Sequence, residues 1–159
     1  MQNIKQKILA QTTAQGAQVT ALREQVLDII LKQHSGVIKA YAVLAQMQQA
    51  SEGVVAPPTA YRALDFWAEQ GVLHKVAAVN GYVLCSHAQH DCNVHCHKQG
   101  VQPPYDHSAF ILVCTECGAV DEQTLNNEWA AFRAGVAESG FQLTEEHVVL
   151  TGICKKCQS

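Results

Sequence analysis

Apolar positions in the first seventy residues recur at helical spacing. The stretch from Ile4 to Gln15 predicts a polar, periodic opening helix that ends near Gly16. In TALREQVLDIILKQ the positions Leu22, Val26, Ile29, Ile30 and Gln33 form one stripe, and Thr20 stands where an N-cap belongs. IKAYAVLAQMQQA predicts a third, shorter helix with Tyr41, Leu44 and Met47 or Gln48 on a shared face, followed by a loop over 51–56. A fourth helix fits PPTAYRALDFWAEQG, since proline is tolerated in a first turn and Gly71 suits an exit. Ala60, Ala63, Leu64 and Trp67 face inward there, Arg62, Asp65 and Glu69 look outward, and Tyr61 lies at the margin. The period then changes: VLHKV and YVLC read as two short strands joined by an Asn80-Gly81 turn.

Three helices followed by a hairpin is the order of a winged helix, whose last helix enters the major groove while the hairpin lies along the phosphates. Residues 86–108 are polar, contain proline and glycine, and lack a period, as expected of a linker or long loop. Beyond them AFILVC and GAVDE predict strands. LNNEWAAFRAGVAESG predicts a helix with Leu125, Trp129, Phe132 and Val136 on one side, and HVVLTGIC a final strand. The fold class expected is α+β, with a winged helix over 1–84, a hinge and His/Cys-rich loop over 85–108, and a small α/β domain over 109–159; an ordinary small α+β domain with no DNA role is the alternative for the first.

Composition sharpens this picture in one respect. No run reaches the roughly 18 apolar residues of a membrane helix, and the N-terminus lacks the apolar block of a secretion signal, so a cytoplasmic location is expected. In a reducing compartment seven cysteines read as metal ligands or redox groups rather than disulfides, and eight histidines add weight to metal. The net charge of −3 hides an asymmetry: residues 1–84 carry +2 and residues 85–159 carry −5. The two halves therefore suit different partners.

Cys114-Thr-Glu-Cys117 and Cys154-Lys-Lys-Cys157 are separated by 36 residues. Each CxxC lets two thiolates converge from a tight turn, and two such pairs close a tetrahedral zinc shell. A thiol–disulfide protein is the alternative, which a second CxxC makes less economical. A looser set comprises His74 in the first hairpin strand, Cys85 at the end of the second, His107 before AFILVC, and Glu122 after GAVD; mixed ligation of that kind also suits zinc. Taken singly, each of these four has an ordinary structural explanation. No nucleophile–base pair or phosphate-binding glycine loop is evident, so neither catalysis nor a small-molecule substrate is expected.

PPTAYRALDFWAEQGVLHKV, then YVLC, then a histidine shortly before C-x-x-C-G, then H…GIC-x-x-C, resembles the ferric uptake regulator family, and within it the zinc uptake regulators. The resemblance runs from about Thr20 to Cys157. It implies a homodimer, with an N-terminal DNA-binding winged helix and a C-terminal α/β dimerisation domain, that binds palindromic double-stranded DNA operators when zinc-loaded and represses zinc-uptake genes. It further implies a structural zinc on Cys114, Cys117, Cys154 and Cys157, and a regulatory zinc on His74, Cys85, His107 and Glu122. Tyr61 and Arg62 are placed on the recognition helix, where arginine reads guanine or binds phosphate. Arg23 and Lys75 are candidate phosphate contacts, with plain solvated charge as the alternative. The family scaffold also senses iron, manganese or peroxide, but a thiolate ligand at Cys85 favours zinc over harder ions.

Three departures accompany the resemblance. Thr20-Ala-Leu stands where Thr-Pro-Gln is usual, and Trp67 replaces a smaller aliphatic. The connection between Cys85 and His107 is long and contains His87, His90, Cys92, His95, Cys96 and His97. Those residues are candidates for an extra metal site or for a capture site feeding the regulatory one, or are only solvated; His87 and His90 are also alternatives to His107 in the regulatory set. His147 is a further, weaker candidate ligand.

Overall fold

The computed structural model describes residues 2–33, 36–50, 55–85, 109–124, 127–143 and 147–158. The chain divides into two compact units, Met1–His97 and Lys98–Ser159.

The first unit consists of α1 (Gln2–Ala14), α2 (Ala21–Lys32), α3 (Ala40–Ala50), α4 (Pro57–Glu69) and the antiparallel pair β1 (Leu73–Val76) and β2 (Gly81–Leu84). Thr20 caps α2 as its sequence predicts, its hydroxyl accepting from the Arg23 N–H at 3.4 Å. Val26, Leu27 and Ile30 from α2, Val43 and Met47 from α3, and Leu64 and Trp67 from α4 are fully buried in one core. Trp67 packs edge-on against Phe66 with centroids 4.9 Å apart. Its indole N–H donates to the Arg23 carbonyl at 2.9 Å, so the largest core side chain hides no unsatisfied donor. Lys5 ties α1 to α2 through Glu24 (2.9 Å) and Asp28 (2.8 Å). At α4, Pro57 and Pro58 fill the first turn, and Gly71 exits in the left-handed region at φ 72°.

Two expectations need correction. The inward face of α3 is Ala40, Val43 and Met47, with Leu44 partly buried, whereas Tyr41 is 71% exposed. The helix follows directly from a segment whose Ile38 is bridged to Tyr82 of β2, and that attachment sets its phase by one residue. A small alanine at position 40, not a tyrosine, fits against the core.

The hairpin also turns differently. Ala77–Val79 forms a 3-10 turn and Asn80 closes it in the left-handed conformation (φ 45°), while Gly81 already belongs to β2, opposite Val76. Gly81 is required there for closeness. A Cβ at this position would stand 2.4 Å from Val37 Cγ1 and 3.0 Å from the Ile38 carbonyl. Ile38 and Tyr82 exchange backbone hydrogen bonds of 2.7 and 2.9 Å, and the Lys39 ammonium donates to the Val79 carbonyl. The hairpin is thus clamped to the segment that precedes α3.

The second unit has β3 (Ala109–Cys114), β4 (Val120–Thr124), α5 (Asn127–Glu138) and β5 (His147–Gly152), with sheet order β4-β3-β5. β3 runs antiparallel to β4 and parallel to β5. Ile111 and Val113 are buried, whereas Leu112 and its register partner Leu150 are exposed. On α5, Phe132 is exposed and Val136 half-buried; Leu125 lies outside the described residues, as does the Trp129 side chain.

Gly81→Ala is expected to cost about 1–3 kcal/mol by overpacking, read as a lowered urea midpoint at unchanged slope. Val37→Ala in the same chain should restore part of the loss, because it removes the atom a Cβ would strike.

Candidate metal centre and nucleic-acid interface

Cys114 ends β3 and Cys154 follows β5 by two residues. Because the two strands pair in parallel with Cys114 opposite Gly152, the register alone brings both CxxC turns to one end of the sheet. The first turn is closed by the Gly118 N–H on the Cys114 carbonyl (3.0 Å), with Gly118 at φ 69°. The Thr115 N–H donates to the Gly152 carbonyl at 2.9 Å, which fastens that turn to the end of β5. The second turn is a single 3-10 turn, Lys155–Cys157, entered from Cys154.

One sulfur from each of Cys114, Cys117, Cys154 and Cys157 lies within 4.8 Å of the others. Cys117 Sγ and Cys154 Sγ are 3.6 Å apart. A disulfide requires about 2.05 Å, whereas thiolates about 2.3 Å from a tetrahedral zinc stand roughly 3.8 Å from one another. The four residues fit zinc, and the arrangement is a cage rather than the paired dithiol of a redox enzyme.

The electrostatics agree. The Cys154 N–H donates to Cys114 Sγ at 3.3 Å. Backbone N–H groups of Cys154 and Cys117 lower the Cys114 thiol to about 6. Cys157, hydrogen-bonded with Cys117 and Cys154, is pushed up to about 12. Four sulfurs at this distance cannot all ionise without a cation among them.

In the first unit, His74 lies on β1 opposite Val83, and Cys85 follows β2 with its N–H on the Val72 carbonyl at 3.0 Å. Both side chains are buried, and an imidazole nitrogen of His74 lies within 4.8 Å of Cys85 Sγ. Two members of the looser ligand set therefore come together in one hairpin. Glu122 is on β4 of the second unit, opposite Ile111. His107 lies outside the described residues, as do His87, His90, Cys92, His95, Cys96 and His97. His147 opens β5, opposite Ala109, and its side chain is likewise outside the described set.

The four residues expected at DNA divide into two groups. Tyr61 and Arg62 are exposed near the start of α4. Arg23 is instead turned onto the protein, its guanidinium 3.7 Å from the centroid of the Phe66 ring and donating to the Gln18 carbonyl at 2.5 Å. Lys75 pairs with Asp65 of α4 at 2.7 Å. Tyr82 is a partner that sequence reasoning missed. Its hydroxyl donates to the same Asp65 oxygen at 2.8 Å, and no periodicity in YVLC signals that contact.

The fold and cage together define a winged-helix protein with a four-thiol metal unit. No family model matches the chain. It is 35% identical to the zinc uptake regulation protein of Escherichia coli (strain K12) over 156 residues, 96% of this chain and 82% of that protein. Among solved structures, a zinc uptake regulator complexed with zinc and DNA aligns at TM-score 0.71 and 32% identity, covering 97% of this chain and 95% of that one. Holo XcZur aligns at TM-score 0.70 and 29% identity, covering 97% and 98%. The chain belongs to the zinc uptake regulators of the ferric uptake regulator family.

Purified protein is expected to retain zinc through gel filtration, with Cys114, Cys117, Cys154 and Cys157 masked from a thiol reagent until a strong chelator is added. Re-adding zinc at pH 7 should release protons, because Cys157 must ionise to ligate. Thiols equally reactive with and without chelator would contradict the cage.

Proposed function

We propose that this chain is a zinc-responsive transcriptional repressor of zinc-uptake genes, binding palindromic operator DNA as a homodimer in the cytoplasm when zinc is plentiful. It is a regulator and not an enzyme. The observation that carries the reading is the buried His74–Cys85 pair. Its ligand atoms lie within 4.8 Å inside the same hairpin that accompanies the recognition helix. A metal held there is held by the DNA-reading unit itself.

Cys114, Cys117, Cys154 and Cys157 would hold a structural zinc, a dication that lets four adjacent thiolates ionise together. His74 and Cys85, with His107 and Glu122, would hold the regulatory zinc. Cys85 and His107 flank the segment 86–106, so tying both to one ion restricts that hinge. A restricted hinge makes the DNA-competent arrangement more populated, and linkage requires operator DNA to tighten zinc binding by the same factor. Tyr61 and Arg62 are the side chains that α4 offers to the groove, and Arg62 is the one suited to bidentate contact with guanine. Among the described residues no helix is long and apolar enough to cross a membrane. The exposed Leu112 and Leu150 on β3 and β5 suit the second unit to pairing with another copy.

The test is a mobility-shift titration on a duplex selected from a random library by zinc-loaded protein. Wild type should bind only with zinc. Cys85→Ser should stay folded and lose the response, whereas Cys114→Ser should lose structural zinc and unfold its unit. Arg62→Ala should weaken binding by about 1–3 kcal/mol, the range for one good bidentate base contact. Equal binding by wild type with only its structural zinc retained would defeat the sensor reading.

A further inference from the structure

The wing hairpin and the recognition helix meet at a single carboxylate. Asp65, in the third turn of α4, accepts from the Lys75 ammonium of β1 at 2.7 Å and from the Tyr82 hydroxyl of β2 at 2.8 Å, both on Oδ1. Lys75 and Tyr82 are register partners across the hairpin, so they share one face of it. The Lys75 ammonium also stands 5.8 Å from the centroid of the Tyr82 ring, within cation–π range. Tyr82 is 3% exposed and joined through its backbone to Ile38. It is therefore a fixed point and not a flexible surface group. A hydrogen bond from such a point to a carboxylate fixes the carboxylate in turn.

We infer that Asp65 is a positioning residue: it holds one residue of each wing strand against α4, and it makes Lys75 a brace rather than a phosphate ligand. The inference rests on the DNA-binding reading above. A negative charge on a DNA-reading helix repels the phosphates, so Asp65 has no electrostatic use at the interface itself. Neutralised by Lys75 and oriented by Tyr82, it instead sets the angle at which the wing leaves the helix. Its carboxyl is displaced in two directions. Partial burial raises it, and the bonds from Lys75 and Tyr82 outweigh that to leave it below the usual carboxylate range.

The brace predicts an unusual charge cycle, measured as the slope of log K against log salt for zinc-loaded protein on the library-selected duplex. Each phosphate contact contributes about 0.9 to the magnitude of that slope. Lys75→Gln uncovers the Asp65 carboxylate, so its slope should flatten by up to about 0.9 per protomer. Asp65→Asn keeps an acceptor for Tyr82 but releases Lys75, so the slope should steepen by up to about 0.9 per protomer. The double variant, Asp65→Asn with Lys75→Gln, should return to the wild-type slope. Tyr82→Phe changes no charge, and it should weaken binding several-fold at constant slope and nearly constant unfolding midpoint.

A double variant as flat as Lys75→Gln would overturn the inference, because it would put Lys75 on a phosphate, as would a double variant that stays as steep as Asp65→Asn. A DNA-free arm separates this from the functional reading. In wild type, Lys75 should be acylated by an amine reagent several-fold more slowly than in Asp65→Asn, and equal rates would dissolve the brace. If the unaltered protein fails to bind DNA with zinc, the DNA-binding reading falls and the acylation arm alone decides whether the brace exists.

Discussion

Ile111, Val113 and Cys114 are the buried hydrophobic residues among the described residues of the second unit, which is little apolar area to hold a three-stranded sheet within one chain. The constraint that remains is the convergence of four sulfurs where β3 and β5 end side by side. Without a cation that convergence works against the fold. Cys114 is already inclined to ionise, while Cys157 is pushed up to about 12 by the thiols around it. A dication would add to each thiolate an attraction that outweighs the repulsion among them, so metal affinity and folding free energy become linked for this unit. The parallel pairing of β3 with β5 then matters chiefly because it delivers the second CxxC to the first.

The first unit is built on the opposite principle, with helices packed around Trp67 and a hairpin clamped through Ile38 and Tyr82. Its basic residues are largely spent on that construction. Lys5 bridges α1 to α2, Arg23 lies on Phe66, Lys39 donates to the carbonyls of the wing turn, and Lys75 joins Asp65. That is four of the seven Lys and Arg residues in positions 1–84. These contacts fix where the cations stand but leave the +2 balance of the first 84 residues as it was, since each ion pair takes up acid along with base and the other contacts are to neutral groups. On the proposed function, discrimination would fall to the few exposed groups of α4, Arg62 foremost.

The sequence is a good guide wherever a feature depends on spacing along the chain. The four helices of the first unit, the Thr20 cap, the proline entry to α4 and both CxxC turns are readable because each is a local rule. The phase of α3 is not, since it depends on a bridge from Ile38 to a residue 44 positions later. Gly81 looks like half of a turn until Val37 is seen beside it. Arg23 and Lys75 read as plain cations until Phe66 is brought beneath the one and Asp65 beside the other, Lys75 remaining largely exposed. In each of these cases the deciding partner arrives from another element, and hydrophobic periodicity carries no information about which polar groups meet. The four-thiol site was legible for the converse reason: a metal requires chemistry of its ligands that the spacing itself displays. For His74 and Cys85, only their meeting within one hairpin adds to what the residue types suggest.

β1 ties these strands of argument together. Successive strand residues point to opposite faces, so its His74 shares a face with Val83 and Cys85 while its Lys75 shares the other with Tyr82. A four-residue strand thus carries a candidate metal ligand on one side and the attachment to α4 on the other. A rotation or shift of β1 that brings His74 into better geometry for a metal must also move Lys75, and through Asp65 the recognition helix. The clamp at Gly81 and Ile38 limits how far β2 can yield instead. On the proposed function, a metal held by His74 would be felt at α4 through the two faces of one short strand.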